Sequence, residues 1–440
     1  MSGGLPGDDD PSGSSIVEPL CEADRARGRR LAIASHPAGN AFAIALTEHL
    51  PTIALLALGA GEAIVGGQSA IKTGANLLQL PTLRRVARIP KRTILTRGHL
   101  LAVVGMLPLL AFSPLREAAE SGALWPAWVA FTALAIVSAG ISISNTVWFP
   151  MLRAYVDPAR IGRFFGLLRS GWSAVLIVFY LGSAYWLSRA PGDFAPLFGV
   201  IFALGVVRFL LISRMPEQSE LTDQGIRVRE AFALVRESPA LRRLLTTVSS
   251  GHALRASVLP FAIVMLRREV GFSDAQLLTT TIAIFAGGLA SLYFWGRVID
   301  RHGAAVVFRG TSIGLALLTS SLIILSTSGE NAFPGAMLFF FSYSILASGF
   351  GMADTHVLFK LTPVESPART LVAAAVSVSM VAAIVPLIAG VGLEIGLRST
   401  SDRLLVYHVF FAIAAIVQAV NWWPTRVFGQ EIGQESRHAK

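Results

Sequence analysis

Residues 296–303 read Gly296-Arg297-Val298-Ile299-Asp300-Arg301-His302-Gly303. The segment is charged, yet an apolar block lies on each side, at 275–295 and 304–327. About twenty apolar residues suffice for a helix to cross a hydrocarbon core of about 30 Å. The unit is therefore two membrane spans joined by a basic turn. Working outward, the same alternation recurs along the chain. Apolar blocks fall near 38–58, 62–83, 98–113, 124–148, 165–188, 195–214, 242–266, 275–295, 304–327, 335–359, 371–396 and 404–424. The expected fold class is an all-α polytopic membrane protein with about twelve transmembrane helices.

Composition agrees. Of 440 residues, 53% are apolar and only 15% are charged, and mean hydropathy is +0.60. Soluble chains carry about 25% charged residues. The formal net charge of +10 could point to nucleic acid or to a membrane, and its distribution decides. If the amino terminus is cytoplasmic, 28 of the 37 Lys and Arg fall in inner segments and 6 in outer loops. The positive-inside rule then places both termini in the cytoplasm, in a multi-pass protein of the cell membrane. No nucleic-acid partner is expected; the lipid bilayer is. A single cysteine, Cys21, excludes an internal disulfide framework and a Cys-based metal cluster.

Residues 1–30 read as a disordered, Gly/Ser/Pro/Asp-rich cytoplasmic tail and not as a signal peptide, because acidic residues stand where a basic region belongs. Residues 31–214 form one six-helix half and 242–425 the other. Residues 215–241 are a cytoplasmic linker whose Ile226, Ala231, Leu234 and Val235 share a helical face. Residues 426–440 are a cytoplasmic tail.

The halves repeat. Asn145-Thr146 precedes Arg160 by fifteen residues, and Asp354-Thr355 precedes Arg369 by fifteen, at an offset of 209. At the same offset Leu50-Pro51 matches Leu259-Pro260. Two parallel six-span repeats are the architecture of the major facilitator superfamily. Residues 296–303 resemble the G-x-x-x-D-R-x-G signature that this family carries between spans two and three and often repeats between eight and nine. The loop Asp157-Pro158-Ala159-Arg160-Ile161-Gly162-Arg163-Phe164-Phe165-Gly166 is similar to its segment between spans four and five. The first-half segment Leu83-Arg84-Arg85-Val86-Ala87-Arg88-Ile89-Pro90-Lys91-Arg92 keeps the basic residues but lacks the Asp and the glycines.

The resemblance implies two pseudo-symmetric halves around a central cavity lined by spans one, four, seven and ten. It also implies an inward gate at Gly296, Arg297, Asp300, Arg301 and Gly303, with Arg88, Arg160 and Arg369 as basic partners. The plainer reading of these segments is ordinary positive-inside loops.

Charges inside spans are costly, about 2.5–3.5 kcal/mol at mid-bilayer, so they face a cavity or a partner. Glu48, Lys72 and Arg255 each lie roughly 15–16 Å from a span end at about 1.5 Å per residue, near the midplane. Together with His49, His252, Asn145, Asp354 and His356 they form the expected substrate and proton pathway. Glu48 is expected to pair with Lys72 or Arg255; the plainer alternative is a permanent ion pair that locks packing. A carboxylate that loses its cation in a dry cavity takes up a proton. Arg208, near a span end, is expected to snorkel to the headgroups. Trp148, Trp172, Trp186, Trp422 and Trp423 are expected at the interfaces.

There is no phosphate-cradling G-x-x-x-x-G-K-[ST] loop, no metal-spaced His or carboxylate cluster and no nucleophile elbow. No cofactor and no enzymatic activity are expected. The reading is a monomeric secondary transporter of a small molecule, coupled to protons and working by alternating access. The alternative is a membrane assembly or pigment- or lipid-delivery protein that kept the fold without ion-coupled transport.

Overall fold

The computed structural model describes residues 20–86, 89–156, 161–217, 233, 235–362 and 367–426. The amino-terminal tail up to residue 19, most of the expected linker helix and the tail after 426 lie outside them, as do Arg88 and Arg160. Among the described residues, nine helices are long and apolar enough to cross a membrane, and eleven if two bent pairs each count as one span. The one expected span not among these eleven, span two at 62–83, is helical too. It runs as Glu62–Gly74, a 3-10 stretch Ala75–Leu78 and Gln79–Val86, so no single piece is long enough.

Span one consists of Glu22–Ala45 and His49–Ala57, which meet at 44°. The local cause is Pro51. A proline has no N–H for the carbonyl four residues back and its ring collides with that carbonyl. Here that residue is Thr47, at the centre of the break. Span seven, Pro239–Arg268, contains the matching Pro260 and does not break. The carbonyl that Pro260 cannot satisfy belongs to Ala256, and Ser69 of span two donates its hydroxyl to that oxygen at 2.5 Å.

Span eight runs from Asp274 to His302, its start fixed by a Ser273–Gln276 capping box. Residues 296–302, expected in a loop, are therefore the last two turns of a helix. Gly303 ends it at φ +80°, a conformation that side chains disfavour.

Packing is pseudo-symmetric. Span two lies on span eleven (Pro367–Ser399) as span eight lies on span five (Ile161–Arg189). Span seven also packs on eleven as span one packs on five. Span three (Lys91–Gly105) packs on span four (Trp125–Tyr155) as nine (Ala304–Leu325) packs on ten (Ala332–Leu361). Large apolar side chains such as Val178, Leu181, Ile324, Leu338, Ile388 and Ile416 cover the outside, where lipid would meet them.

Glycines allow the helices to touch backbone to backbone. A Cβ on Gly140 of span four would lie 2.5 Å from the Ala102 nitrogen and 2.6 Å from the Gly98 oxygen of span three. A Cβ on Gly182 of span five would have nothing within 4 Å. Gly140→Leu should therefore destabilise the protein by about 1–3 kcal/mol through overpacking. Gly182→Leu should be near neutral. Thermal unfolding of both variants in detergent checks this.

Candidate functional site

The break in span one sets Glu48 at the amino end of the short helix His49–Ala57, with φ −93° and ψ −140°. Its carboxylate reaches across to span two, where Lys72 Nζ lies 3.4 Å from Oε1. Both side chains keep access to water, at 23% and 33% exposure, so the pair is not sealed in.

Glu48, His49, Lys72, His252 and Arg255 line a single cavity of about 190 Å³ between the halves. His252 and Arg255 are three residues apart and share a face of span seven. Among the described residues the Arg255 guanidinium makes no hydrogen bond or ion pair, and the residue is exposed to the cavity. Asp354 of span ten does not line the cavity, but its Oδ2 lies 3.9 Å from His252 Nε2. Asn145 is exposed on span four, and His356 is half-buried near Asp300 and Lys360; neither lines the cavity. His49 is 3% exposed and sits across the interface, with Nδ1 3.2 Å from the Thr281 hydroxyl and its ring edge-on to Phe340.

Gln68, Ser69 and Thr73 also line the cavity, and sequence reading passed over them because uncharged polar residues are common in spans. Gln68 and Ser69 lie four and three residues before Lys72, and Thr73 four after Ser69, so helical neighbours link them to the charged residue, a signal that was present.

The end of the bundle away from the chain termini is tied shut. Arg268 Nη1 donates to Glu62 Oε1 at 2.5 Å and Nη2 to the Ala60 carbonyl at 2.5 Å. The Tyr407 hydroxyl donates to the same Glu62 oxygen at 2.7 Å. Arg267 donates to the Ile53 carbonyl at 2.7 Å, and the Ala63 N–H to Glu394 at 3.1 Å. Each of these joins the amino-terminal half to the carboxy-terminal half. Gly66 and Gly390 add backbone contact there, since a Cβ on Gly66 would fall 2.4 Å from the Pro386 oxygen.

At the other end, Arg297 lies over the Tyr293 ring at 4.2 Å, and Asp300, Arg301 and Gly303 are exposed, while Gly296 is half-buried. The Arg369 side chain lies outside the described residues.

Two expectations fail. Arg208 does not snorkel: it is 5% exposed, its side chain lies against Gly39, and its guanidinium sits 4.9 Å from the Trp148 ring centroid. Trp148 is 3% exposed and stacks on His36 at 5.7 Å, so it belongs to the interior of the amino-terminal half and not to the interface. Close packing of spans one, four and six around Gly39 draws both inward.

Comparison with known proteins agrees with this geometry. Residues 50–386 match the model of the Major Facilitator Superfamily. The nucleoside transporter NupG superposes with TM-score 0.64 at 13% identity, covering 91% of this chain and 97% of its own. A bacterial homologue of the iron transporter ferroportin superposes in its inward-facing state with TM-score 0.68 at 14% identity, covering 92% and 99%. Its outward-facing state gives TM-score 0.55 at 15% identity, covering 91% and 98%. No curated protein matches the chain.

Glu62 is buried and satisfies both Arg268 and Tyr407. Removing one partner of a buried pair costs about 3–5 kcal/mol. Glu62→Ala should therefore shift the population towards a form open at this end. Spin labels at Ser121→Cys and Asn331→Cys, in a Cys21→Ser background, should move apart in double electron–electron resonance; an unchanged distance would show that the tie is dispensable. The fold, its spans and the sequence match agree: this multi-pass membrane chain belongs to the major facilitator superfamily of transporters.

Proposed function

We propose that the chain is a secondary active transporter that moves a small molecule by alternating access, driven by protons. It works as a monomer in the cell membrane with both termini cytoplasmic. The supporting observation is the cavity itself. It holds a solvent-reached Glu48–Lys72 pair at 3.4 Å, faces an unpaired Arg255 from the opposite half, and lies directly beneath a tied end. With the termini inside, this is the inward-facing state, and the better superposition on the inward-facing ferroportin homologue supports that assignment.

In the cycle, rocking of the halves changes which cation Glu48 meets. Paired with Lys72, it stays charged. Separated from cations as the cavity closes and dries, it takes up a proton and pays less for burial. Substrate on Arg255 would compete for the same field, and this links the two fluxes. Coupling then needs no metal and no nucleotide.

The test uses sealed vesicles holding the purified protein and the metabolites that raise its melting temperature in a thermal-shift screen. Wild type should accumulate or expel substrate with an imposed pH gradient. Glu48→Gln should retain exchange of labelled for unlabelled substrate and lose the response to the gradient. A pH dependence unchanged in that variant removes Glu48 from coupling.

A further inference from the structure

The carboxy-terminal half contains a second, smaller cavity of about 60 Å³, lined by spans seven, nine, ten and twelve (Arg403–Val420 and the following Asn421). His252 and Arg255 line both cavities, so the two adjoin at these residues. A single water needs only about 10–15 Å³, so the chamber is more than a packing gap.

The repeat shows what would ordinarily fill it. The offset of 209 holds in the structure. Gly105 packs on Ile136 and Val137, and Gly314, its mate, packs on Leu346, the mate of Val137. At this register the chamber's Gly251 and Ser312 correspond to Phe42 and Val103. Tyr343, Gln418 and Asn421 correspond to Leu134, Phe209 and Ile212. In the amino-terminal half, Phe42 and Ile212 are fully buried, and the buried Ser138 and Ser142 are the mates of the chamber's Ala347 and Gly351. The carboxy-terminal half has exchanged those side chains for smaller or polar ones.

Gln418 is bonded to Thr319, and Asn421 to Thr247 and Ser250, so Ser312 is the chamber group left over. Ser312 is 1% exposed and its hydroxyl has no hydrogen-bond partner. A Cβ on Gly351, in the wall, would have nothing within 4 Å. A buried hydroxyl facing a hole costs stability unless something in the hole bonds to it. At the mouth stands a guanidinium suited by its fork of donors to a carboxylate.

We propose that this chamber is a substrate subsite: it receives a short, uncharged, hydrogen-bonding arm of an anionic substrate whose carboxylate rests on Arg255. The proposal builds on the reading of the central cavity as the transport site. The anion gives the Arg255 guanidinium a direct ion-pair contact, and the arm supplies a partner for Ser312. A hydroxyl at the end of a short-chain acid is an arm of this kind. Selection is by the arm, because an analogue with a bare hydrocarbon end leaves Ser312 unpaired.

The test pairs 4-hydroxybutyrate with butyrate, titrated against the full-length protein by thermal shift. Wild type should bind 4-hydroxybutyrate about fivefold more tightly, the worth of one hydrogen bond of average strength. Ser312→Ala should abolish the preference and leave butyrate unaffected. Gly351→Leu, which fills the chamber, should do the same. Arg255→Gln should weaken both acids. If wild type shows no preference, or the preference survives both Ser312→Ala and Gly351→Leu, the subsite is wrong. If instead Arg255→Gln leaves both acids bound as before, the central-cavity reading is what fails. A second readout does not depend on the choice of acid. In a Cys21→Ser background, Ser312→Cys should react with aminoethyl methanethiosulfonate from the aqueous phase, and Val103→Cys, its mate, should not. An unreactive Ser312→Cys would overturn the chamber.

Discussion

A carbonyl freed by proline inside a membrane must find a donor or a cavity, and the two halves meet that demand differently. Pro51 and Pro260 stand at matching places in the repeat. At Pro260 the freed Ala256 oxygen is taken by Ser69, so span seven stays continuous and is tied to span two. At Pro51 no such bridge holds the helix together, and the chain unwinds at Thr47 and turns by 44°. The unwinding puts Glu48 at the start of a new helix, where its side chain can reach Lys72. Irregular backbone at membrane depth is tolerated where it borders a water-reached cavity, and this break borders the cavity that Glu48, Lys72 and Arg255 line.

Ties and openings then divide along the bundle. At the end away from the termini, Glu62 collects an arginine and a tyrosine from the other half, while glycines bring spans two and eleven into backbone contact. Such contacts are short and directional, so they either form together or separate together. Towards the midplane the groups become unpaired or solvent-reached. Arg255 has no partner among the described residues, and the Glu48–Lys72 separation is longer than those at the tied end. Strong pairs where the halves close and weak pairs where cargo would sit is the distribution expected if closure at one end releases the other.

Much of this was legible in the sequence because membranes impose coarse rules. Span length, charge asymmetry and the Leu-Pro repeat led to the all-α, two-half fold, depth arithmetic brought together Glu48, Lys72 and Arg255, and His252 follows from its spacing of three to Arg255. What escaped was set by helix faces and by neighbours. Arg208 is near a span end in sequence, and only the slot at Gly39 reveals that it turns inward onto Trp148. Residues 296–302 carry the charges of a loop but the capping of a helix, and the stop comes at Gly303. Glu62, Arg268 and Tyr407 looked like ordinary loop and span-end residues, since nothing local says that they converge from three spans.

The halves are alike in backbone and unlike in filling. The amino-terminal half packs Phe42 and Val103 against its neighbours and holds Arg208 on the face of Trp148, which stacks in turn on His36. A cation buried this way is stabilised only while the aromatic layer stays in place, so rearranging that half would expose the charge to hydrocarbon. The carboxy-terminal half keeps hydroxyls and amides around open space, groups that can exchange partners at small cost when water or a ligand is at hand. The two copies of the repeat thus differ in what fills corresponding places. The coupling carboxylate proposed here sits on one half, and the recognition groups on the other. Separating them in this way lets the interface between halves, rather than either bundle alone, decide when charge and cargo meet.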